Sequence, residues 1–314
     1  MIKRTLPDGR KAKPFLKWAG GKTQLLEAFE RRFPSELIEQ KLSNYVEPFV
    51  GGGAVFFSIN KKYEFKTAHI CDINEELILA YNVVKLKVNS LIEKLSILET
   101  DFFETPESDR TELYYKIRND FNQQKNKINF DNYHNLWIKR AAELIFLNHT
   151  CYNGLFRVNS KGQFNVPFGR YKKPRILDEN TLLETSASLD NTEIIKGDFT
   201  TCGQFVDANT FIYLDPPYRP LNLTSKFTGY SKNGFTEDDQ IRLAQFYKSL
   251  DKTGAKIMLS NSDPKNEKSD DTFFDLLYSE YVIDRVPAKR AINCNGEKRG
   301  EISELIITNY QTFL

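Results

Sequence analysis

Histidine and cysteine are scarce in this chain, with three and four copies among 314 residues. Cys71, Cys151, Cys202 and Cys294 form no C-x-x-C pair and do not cluster with the histidines, which excludes a zinc framework and a disulfide scaffold. A reducing, cytoplasmic setting is the expectation. No stretch approaches the roughly 18 consecutive apolar residues that a membrane-spanning helix requires, and the first residues lack the apolar core of a secretory signal. The dinucleotide fingerprint G-x-G-x-x-G is missing too, which argues against NAD and FAD. Gly20-Gly-Lys-Thr23 hints at a phosphate loop, but Leu16 stands where that loop needs its first glycine and no apolar strand leads into it. A nucleoside triphosphatase is therefore a poor reading.

What is present is ordinary globular composition, 40% hydrophobic and 27% charged, in a chain longer than one core usually fills. The net charge of +2 is unevenly spread. Between Lys125 and Arg175, ten Lys or Arg face only Asp131 and Glu143, which makes a solvated basic face or a polyanion-binding surface. Around this segment the rhythm is α/β. A helix is expected over 22–32 up to Pro34. A short strand from Tyr45 feeds the turn Phe49-Val-Gly-Gly-Gly53, and a helix follows to about Asn60. A strand over Thr67–Asp72 then ends in an acid before a helix from Glu75 to about Lys87. Strand, glycine turn, helix, strand, acid is a βαβ unit and predicts a parallel sheet.

Residues 101–189 break that rhythm. They begin as a polar loop, carry helical patterns near 111–122 and 134–147, and then change period. Leu155–Val158 and Gln163–Val166 flank Asn159-Ser-Lys-Gly162, as in a β-hairpin with its glycine in the turn. The segment reads as an insert within a catalytic domain of residues 1–100 and 190–314. The later pattern predicts strands over 192–197, 210–214 and 255–260 and helices over 237–250 and 270–279. Two further strands, near 281–287 and 302–309, are joined only by the loop 293–300, so they should pair antiparallel.

Two features carry chemistry. The glycine turn lets backbone approach a ligand closely, and Asp72 at the next strand end can accept both hydroxyls of a ribose. With no pyrophosphate signature, a nucleoside cofactor fits best. The second feature, Asp215-Pro-Pro-Tyr218, follows the apolar run from Phe211. Prolines cannot continue a central strand but fix φ, so the Asp215 carboxylate and the Pro216 carbonyl can be held toward one small donor. An adenine amino group has two N–H bonds and a lone pair delocalised into its ring. Two fixed acceptors favour its rehybridisation into a nucleophile. Tyr218 supplies an aromatic face, and a plain strand-ending turn is the structural alternative.

Phe49-Val-Gly-Gly52, a basic insert and Asp215-Pro-Pro-Tyr218, in that order, resemble the alpha-class DNA adenine-N6 methyltransferases, specifically the Dam-like group with its DpnII- and MboI-type enzymes. Phe15-Leu-Lys-Trp-Ala-Gly-Gly-Lys22, Tyr152-Asn-Gly-Leu-Phe-Arg157, Gln163-Phe-Asn-Val-Pro-Phe-Gly-Arg-Tyr-Lys-Lys173 and Leu259-Ser-Asn261 extend the likeness from about Pro14 to Tyr310. The arm before Lys13 is longer than the family pattern and receives no role.

The resemblance implies a Rossmann-like class I methyltransferase sheet, mostly parallel with an antiparallel C-terminal strand, and a helical plus β-hairpin target recognition domain inserted at 101–189. It implies S-adenosyl-L-methionine as cofactor, contacted by Trp18, Lys22, Phe49, Gly51, Gly52, Asp72 and Asp215, with Asp198 and Phe199 about its adenine. Asp215, Pro216, Pro217 and Tyr218 would be catalytic, and no metal is called for. The substrate implied is double-stranded DNA, with the target base flipped out of the stack. Tyr152 and Asn153 would brace the vacated space. Lys17, Leu155, Arg157, Pro167 and Tyr171 match the positions that imply GATC, and Arg170 with Lys172 and Lys173 would meet phosphate. A restriction endonuclease acting on the same site, without a stable complex, is a further partner class.

Rival readings stay open at this stage. The amine could belong to structured RNA, to cytosine or to a protein glutamine. Asp215, where those cytosine and glutamine enzymes carry Ser or Asn, leans toward adenine, and the absence of a Pro-Cys dipeptide argues against cytosine-C5 chemistry. A DNA-binding module with a dead catalytic domain is the reading from another class, against which the intact motif speaks. Arg157→Ala is expected to relax discrimination at guanine by about 1–3 kcal/mol, read as the kcat/KM ratio between cognate and guanine-substituted sites. Equal loss on both would remove Arg157 from base readout.

Overall fold

A computed structural model describes residues 12–219, 234–288 and 302–312. The arm before residue 12, the loop 293–300 and Cys294 lie outside the described residues. Seven strands form one sheet: β1 (Asn44–Glu47), β2 (Thr67–Asp72), β3 (Thr192–Lys196), β4 (Thr210–Leu214), β5 (Lys256–Ser262), β6 (Val282–Ala288) and β7 (Ile302–Thr308). Their order is β3-β2-β1-β4-β5-β7-β6. β1 pairs parallel with β2 and β4, and β4 with β5; β7 runs antiparallel to both β5 and β6. This is the parallel α/β sheet with a terminal antiparallel pair that the chain pattern predicts, and it is consistent with the Rossmann-like methyltransferase fold that the resemblance implies. β4, Thr-Phe-Ile-Tyr-Leu, is buried at every position because it lies inside the sheet with both faces covered. The strand order reverses between β1 and β4, and ligands of open α/β sheets bind beyond the carboxyl ends at such a point. Phe49 follows β1 there and Asp215 follows β4.

The chain divides into two compact units, one of residues 1–21, 51–61 and 72–196 and the other of residues 22–50, 62–71 and 197–314. In the first unit, the helix starting at Glu75 does not stop at Lys87. It kinks there (φ −140°, ψ 35°) and runs on to Glu104, so the start of the expected polar loop is helical. Asn74 caps its start by accepting from the Glu76 and Leu77 amides. The fully buried Arg140 holds this helix against two others. Its guanidinium donates to both Glu76 oxygens, gives a further hydrogen bond to the Phe121 carbonyl and lies 3.8 Å above the Phe121 ring. Burial raises the Glu76 carboxyl while Arg140 opposes that rise.

The expected hairpin contracts to a single Val158–Phe164 bridge, with Gly162 at φ +73° in the turn. The helix Arg110–Gln124 anchors the outer edge of the hairpin's second arm. Tyr114 and Arg118 donate to the Val166 carbonyl, and Asn122 exchanges two hydrogen bonds with the Phe164 backbone. These side chains occupy outward-facing groups of residues 164 and 166, while Asn159–Gln163 and Asn165–Arg157 backbone bonds join the two arms. A helix at Glu179–Ser188, capped by Asp178, was not expected, since its Thr- and Ser-rich sequence carries little apolar periodicity. In the second unit the helix expected over 22–32 shrinks to Leu26–Glu30, with a separate turn of helix at Ser35–Ile38 after Pro34. The helix expected over 270–279 is Phe273–Leu277. No described helix is long and apolar enough to cross a membrane.

Candidate active site

Asp215 emerges from β4 into a network assembled from four other elements of the second unit. The Lys22 ammonium lies 2.7 Å from one oxygen of its carboxylate and 2.8 Å from the other. Ser260 on β5 donates to the same carboxylate at 3.1 Å, and the buried Tyr213 hydroxyl stands 2.8 Å from Ser260 Oγ. The Lys22 side chain is 6% exposed and that of Asp215 18%. Burial lifts the Asp215 carboxyl above its ordinary range, and the lysine and the serine limit that rise.

The proline pair is pinned from behind. Gln240 donates to the Pro217 carbonyl at 3.0 Å and in turn accepts from the buried Asn261 amide at 3.2 Å. Lys22 Nζ sits 4.5 Å from the centre of the Tyr218 ring, a cation–π contact on one face, and the Tyr218 hydroxyl donates to Glu304 on β7. Burial pushes both the tyrosine and the Glu304 carboxyl upward.

Beside β1, Phe49 packs its ring 5.4 Å from Phe199 and 5.9 Å from Phe235. Asp198 receives two hydrogen bonds from Arg242, at 2.8 and 2.9 Å, and that guanidinium lies 4.3 Å above the Phe199 ring. Although burial works against it, Arg242 and Thr200 hold the Asp198 carboxyl below its usual range.

In the first unit, Asp72 accepts from the Gly51 amide at 3.1 Å and the Asn74 amide at 2.8 Å. Burial nevertheless pushes its carboxyl up to about 6, these amides notwithstanding. The glycines make room for the protein's own side chains: a Cβ on Gly51 would meet the Trp18 ring at 3.0 Å and one on Gly52 the Trp18 Cβ at 3.1 Å. Gly53, at φ +77°, would meet the Tyr81 hydroxyl at 2.6 Å. Trp18 also stacks on Phe156 at 5.1 Å.

Asn148, buried in the helix Leu136–Thr150, joins Lys17 to the turn after that helix. It accepts from the Lys17 amide and donates to the Lys17 and Gly154 carbonyls. Asn153 adopts φ +57°, and its amide donates to the Tyr171 hydroxyl at 3.0 Å; Lys17 Nζ lies 5.7 Å from the centre of the Tyr171 ring. The Tyr152 amide bonds to the Pro167 carbonyl, leaving an exposed tyrosine side chain. Arg157 is steered by Asn165 through a 2.8 Å hydrogen bond. Lys17, Tyr152, Asn153, Pro167 and Tyr171 thus share one turn region. Leu155 is half-buried, and Arg170, at φ +54°, is exposed.

Residues 18–292 match the profile of the D12 class N6 adenine-specific DNA methyltransferases. The chain belongs to that family. It is 54% identical to the type II methyltransferase M.MjaIII of Methanocaldococcus jannaschii over 299 residues, 95% of this chain and 99% of that one. It is 37% identical to the type II methyltransferase M1.LlaDCHI of Lactococcus lactis, covering 95% of each. The DNA adenine methylase of Escherichia coli is 33% identical, again over 95% of each. The protein is an adenine-specific DNA methyltransferase.

Several residues that organise these candidate clusters, each within its own unit, carried little signal in the sequence. Glu304 was legible only as an acid inside an otherwise apolar strand, and Asn148 only as an amide at the end of an apolar helical run. Arg242 gave no signal at all, since a charged residue on an amphipathic helix is ordinary. Lys22→Met, which strands the Asp215 charge, is expected to cost about 3–5 kcal/mol in denaturant unfolding at neutral pH. The carboxyl is already raised and would rise further, so stability should return as pH falls through its new pKa and protonation removes the charge. Pairing the change with Asp215→Asn should restore stability across the range, and a loss independent of pH would refute the account.

Proposed function

We propose that this methyltransferase moves a methyl group from S-adenosyl-L-methionine to N6 of adenine in GATC sites of duplex DNA, acting on a base turned out of the helix. The observation that carries the reading is the largely desolvated Asp215 carboxylate at the switch point, oriented by Ser260 and answered by Lys22. When bound, the cofactor supplies an electrophilic methyl group on a sulfonium.

Each unit carries residues suited to such a cofactor. Asp72, pinned by the Gly51 and Asn74 amides, is a half-buried acceptor suited to ribose hydroxyls. Phe49 and Phe199 form an aromatic wall beside Asp198, suited to an adenine ring. Trp18, Gly51 and Gly52 close the glycine turn, and Lys22 sits on Asp215. An ionised carboxylate has about four lone-pair positions. Two contacts from Lys22 and one from Ser260 leave capacity for one amino hydrogen, while the Pro216 carbonyl is the acceptor for the other. Such fixed acceptors act on the amine as it becomes cationic, with no reorganisation at the moment of reaction. Pro217 keeps the loop rigid and Tyr218 offers a ring face to the extruded base.

Residues 101–189 serve as the target recognition domain. Tyr152, with its ring in solvent, and Asn153, in a left-handed conformation that asparagine tolerates, suit the gap left by the base. Lys17, Leu155, Arg157, Pro167 and Tyr171 read base edges, and Arg170, Lys172 and Lys173 neutralise phosphate. Membership of a restriction-modification pair, with an endonuclease that reads the same site independently, fits this role.

Plasmid incubated with protein and S-adenosyl-L-methionine should become resistant to a GATC endonuclease blocked by adenine methylation and sensitive to one that requires it. Asp215→Ala should abolish both changes even at saturating cofactor; turnover in that variant would overturn the clamp. Cofactor affinity should fall as pH drops below about 6, because ribose recognition uses ionised Asp72 and protonation removes it. The same raised pKa means that ionising Asp72 costs the folded protein stability as pH rises through 6. Calorimetric titration from pH 5 to 8 should find that dependence gone in Asp72→Asn, and a flat wild-type profile would exclude Asp72 from the site.

A further inference from the structure

Glu304 touches neither the Asp215 carboxylate nor the proline pair, yet its carboxyl is drawn largely out of water. It lies on β7 opposite Ser262 of β5 and Val286 of β6, and the residues that follow it, Leu305, Ile306 and Ile307, are buried core. A carboxylate inside a sheet must be compensated or it destabilises the fold. The nearby Lys22 charge favours the ionised form of Glu304, although Lys22 makes its direct ion pair with Asp215. The hydrogen-bond partner of Glu304 among the described residues is the Tyr218 hydroxyl. Tyr218 is therefore constrained at three places. Its backbone follows two prolines whose carbonyl Pro217 is held by Gln240, one ring face meets the Lys22 ammonium, and the rim hydroxyl is tied to β7.

We propose that Glu304 is a positioning residue for the methyl-transfer reaction: by accepting from the Tyr218 hydroxyl it fixes the plane of that ring, so that the face opposite Lys22 is presented to the target adenine. The inference rests on the reading of Tyr218 as the surface that receives the base. A tyrosine, as opposed to a phenylalanine, is then needed for its rim and not only for its face. The phenolic O–H prefers to lie in the plane of its ring, so a strong hydrogen bond to a charged acceptor at a fixed position biases the ring toward one orientation. The burial that raises the Glu304 carboxyl adds a corollary, since a protonated Glu304 still accepts through its carbonyl oxygen and the constraint survives mild acid.

The test measures kcat/KM for duplex DNA, cofactor affinity and melting temperature on the full chain. The variants are Glu304→Ala, Glu304→Gln, Tyr218→Phe, Tyr218→Ala and the double variant Glu304→Ala with Tyr218→Phe. Glu304→Ala and Tyr218→Phe should each lower kcat/KM for DNA on the order of tenfold, the scale of one hydrogen bond to a charged group. Cofactor affinity should stay unchanged, and the double variant should be no worse than either single one, because both remove the same contact. Glu304→Gln, which keeps an acceptor, should recover most of the loss. A double variant whose loss is the product of the two single losses, or wild-type kcat/KM in Tyr218→Phe, would overturn the inference. The Glu304→Gln and Tyr218→Phe pair decides it even if Glu304→Ala does not fold. Wild-type transfer by Tyr218→Ala would instead sink the underlying reading of Tyr218, whereas loss in Tyr218→Ala alone sinks only the role of Glu304.

Discussion

Water does not answer the charge of Asp215 at the end of an interior strand; Lys22 does. Removing both groups from solvent is costly, and their attraction repays that cost only with good geometry and further hydrogen bonds. The site supplies these through Ser260, itself within hydrogen-bonding distance of the buried Tyr213. The carboxylate is therefore oriented before any substrate arrives, and its raised pKa records how little solvent helps. The neighbouring Tyr218 ring depends on the same lysine, which lies against its face.

The sheet explains why this pair forms where it does. β4 sits between β1 and β5 with every side chain buried, so its last residue is delivered at the edge of the core. Pro216 and Pro217 lack the N–H groups a continuing strand would pair, and the chain must leave the sheet there. The antiparallel β7 then brings Glu304 alongside β5, near the motif's aromatic. The fold thus turns two interior strands into holders for a carboxylate and a phenol.

The other unit uses buried polar groups in the same manner. Arg140, without solvent exposure, is satisfied by Glu76, a carbonyl and an aromatic face, and so fixes three helices. Asn148 spends its whole amide on the backbones of Lys17 and Gly154, setting the turn that carries Tyr152 and Asn153. Such groups specify one arrangement because any other leaves a donor or acceptor unpaired. The glycine turn belongs to the same logic, its missing Cβ atoms giving room to Trp18 and Tyr81.

The chain by itself determined what is local. The strands Thr67–Asp72 and Thr210–Leu214, the helices near 110–124, 136–150 and 237–251 and the acid-proline-proline-tyrosine turn were legible because apolar period, proline and glycine act over a few residues. The family followed from several such stretches in order. What tertiary structure alone decided were the partnerships: Lys22 with Asp215 across 193 positions, Tyr218 with Glu304 across 86, and Asn148 with Lys17 across 131. Nothing in a linear pattern distinguishes a lysine that will lose its water from one that keeps it. The extent of the helix past Lys87 and the contraction of the hairpin to one bridge were likewise hidden. Apolar period fixes neither where a helix ends nor how far two strands pair, and packing settles both only when the chain has closed on itself.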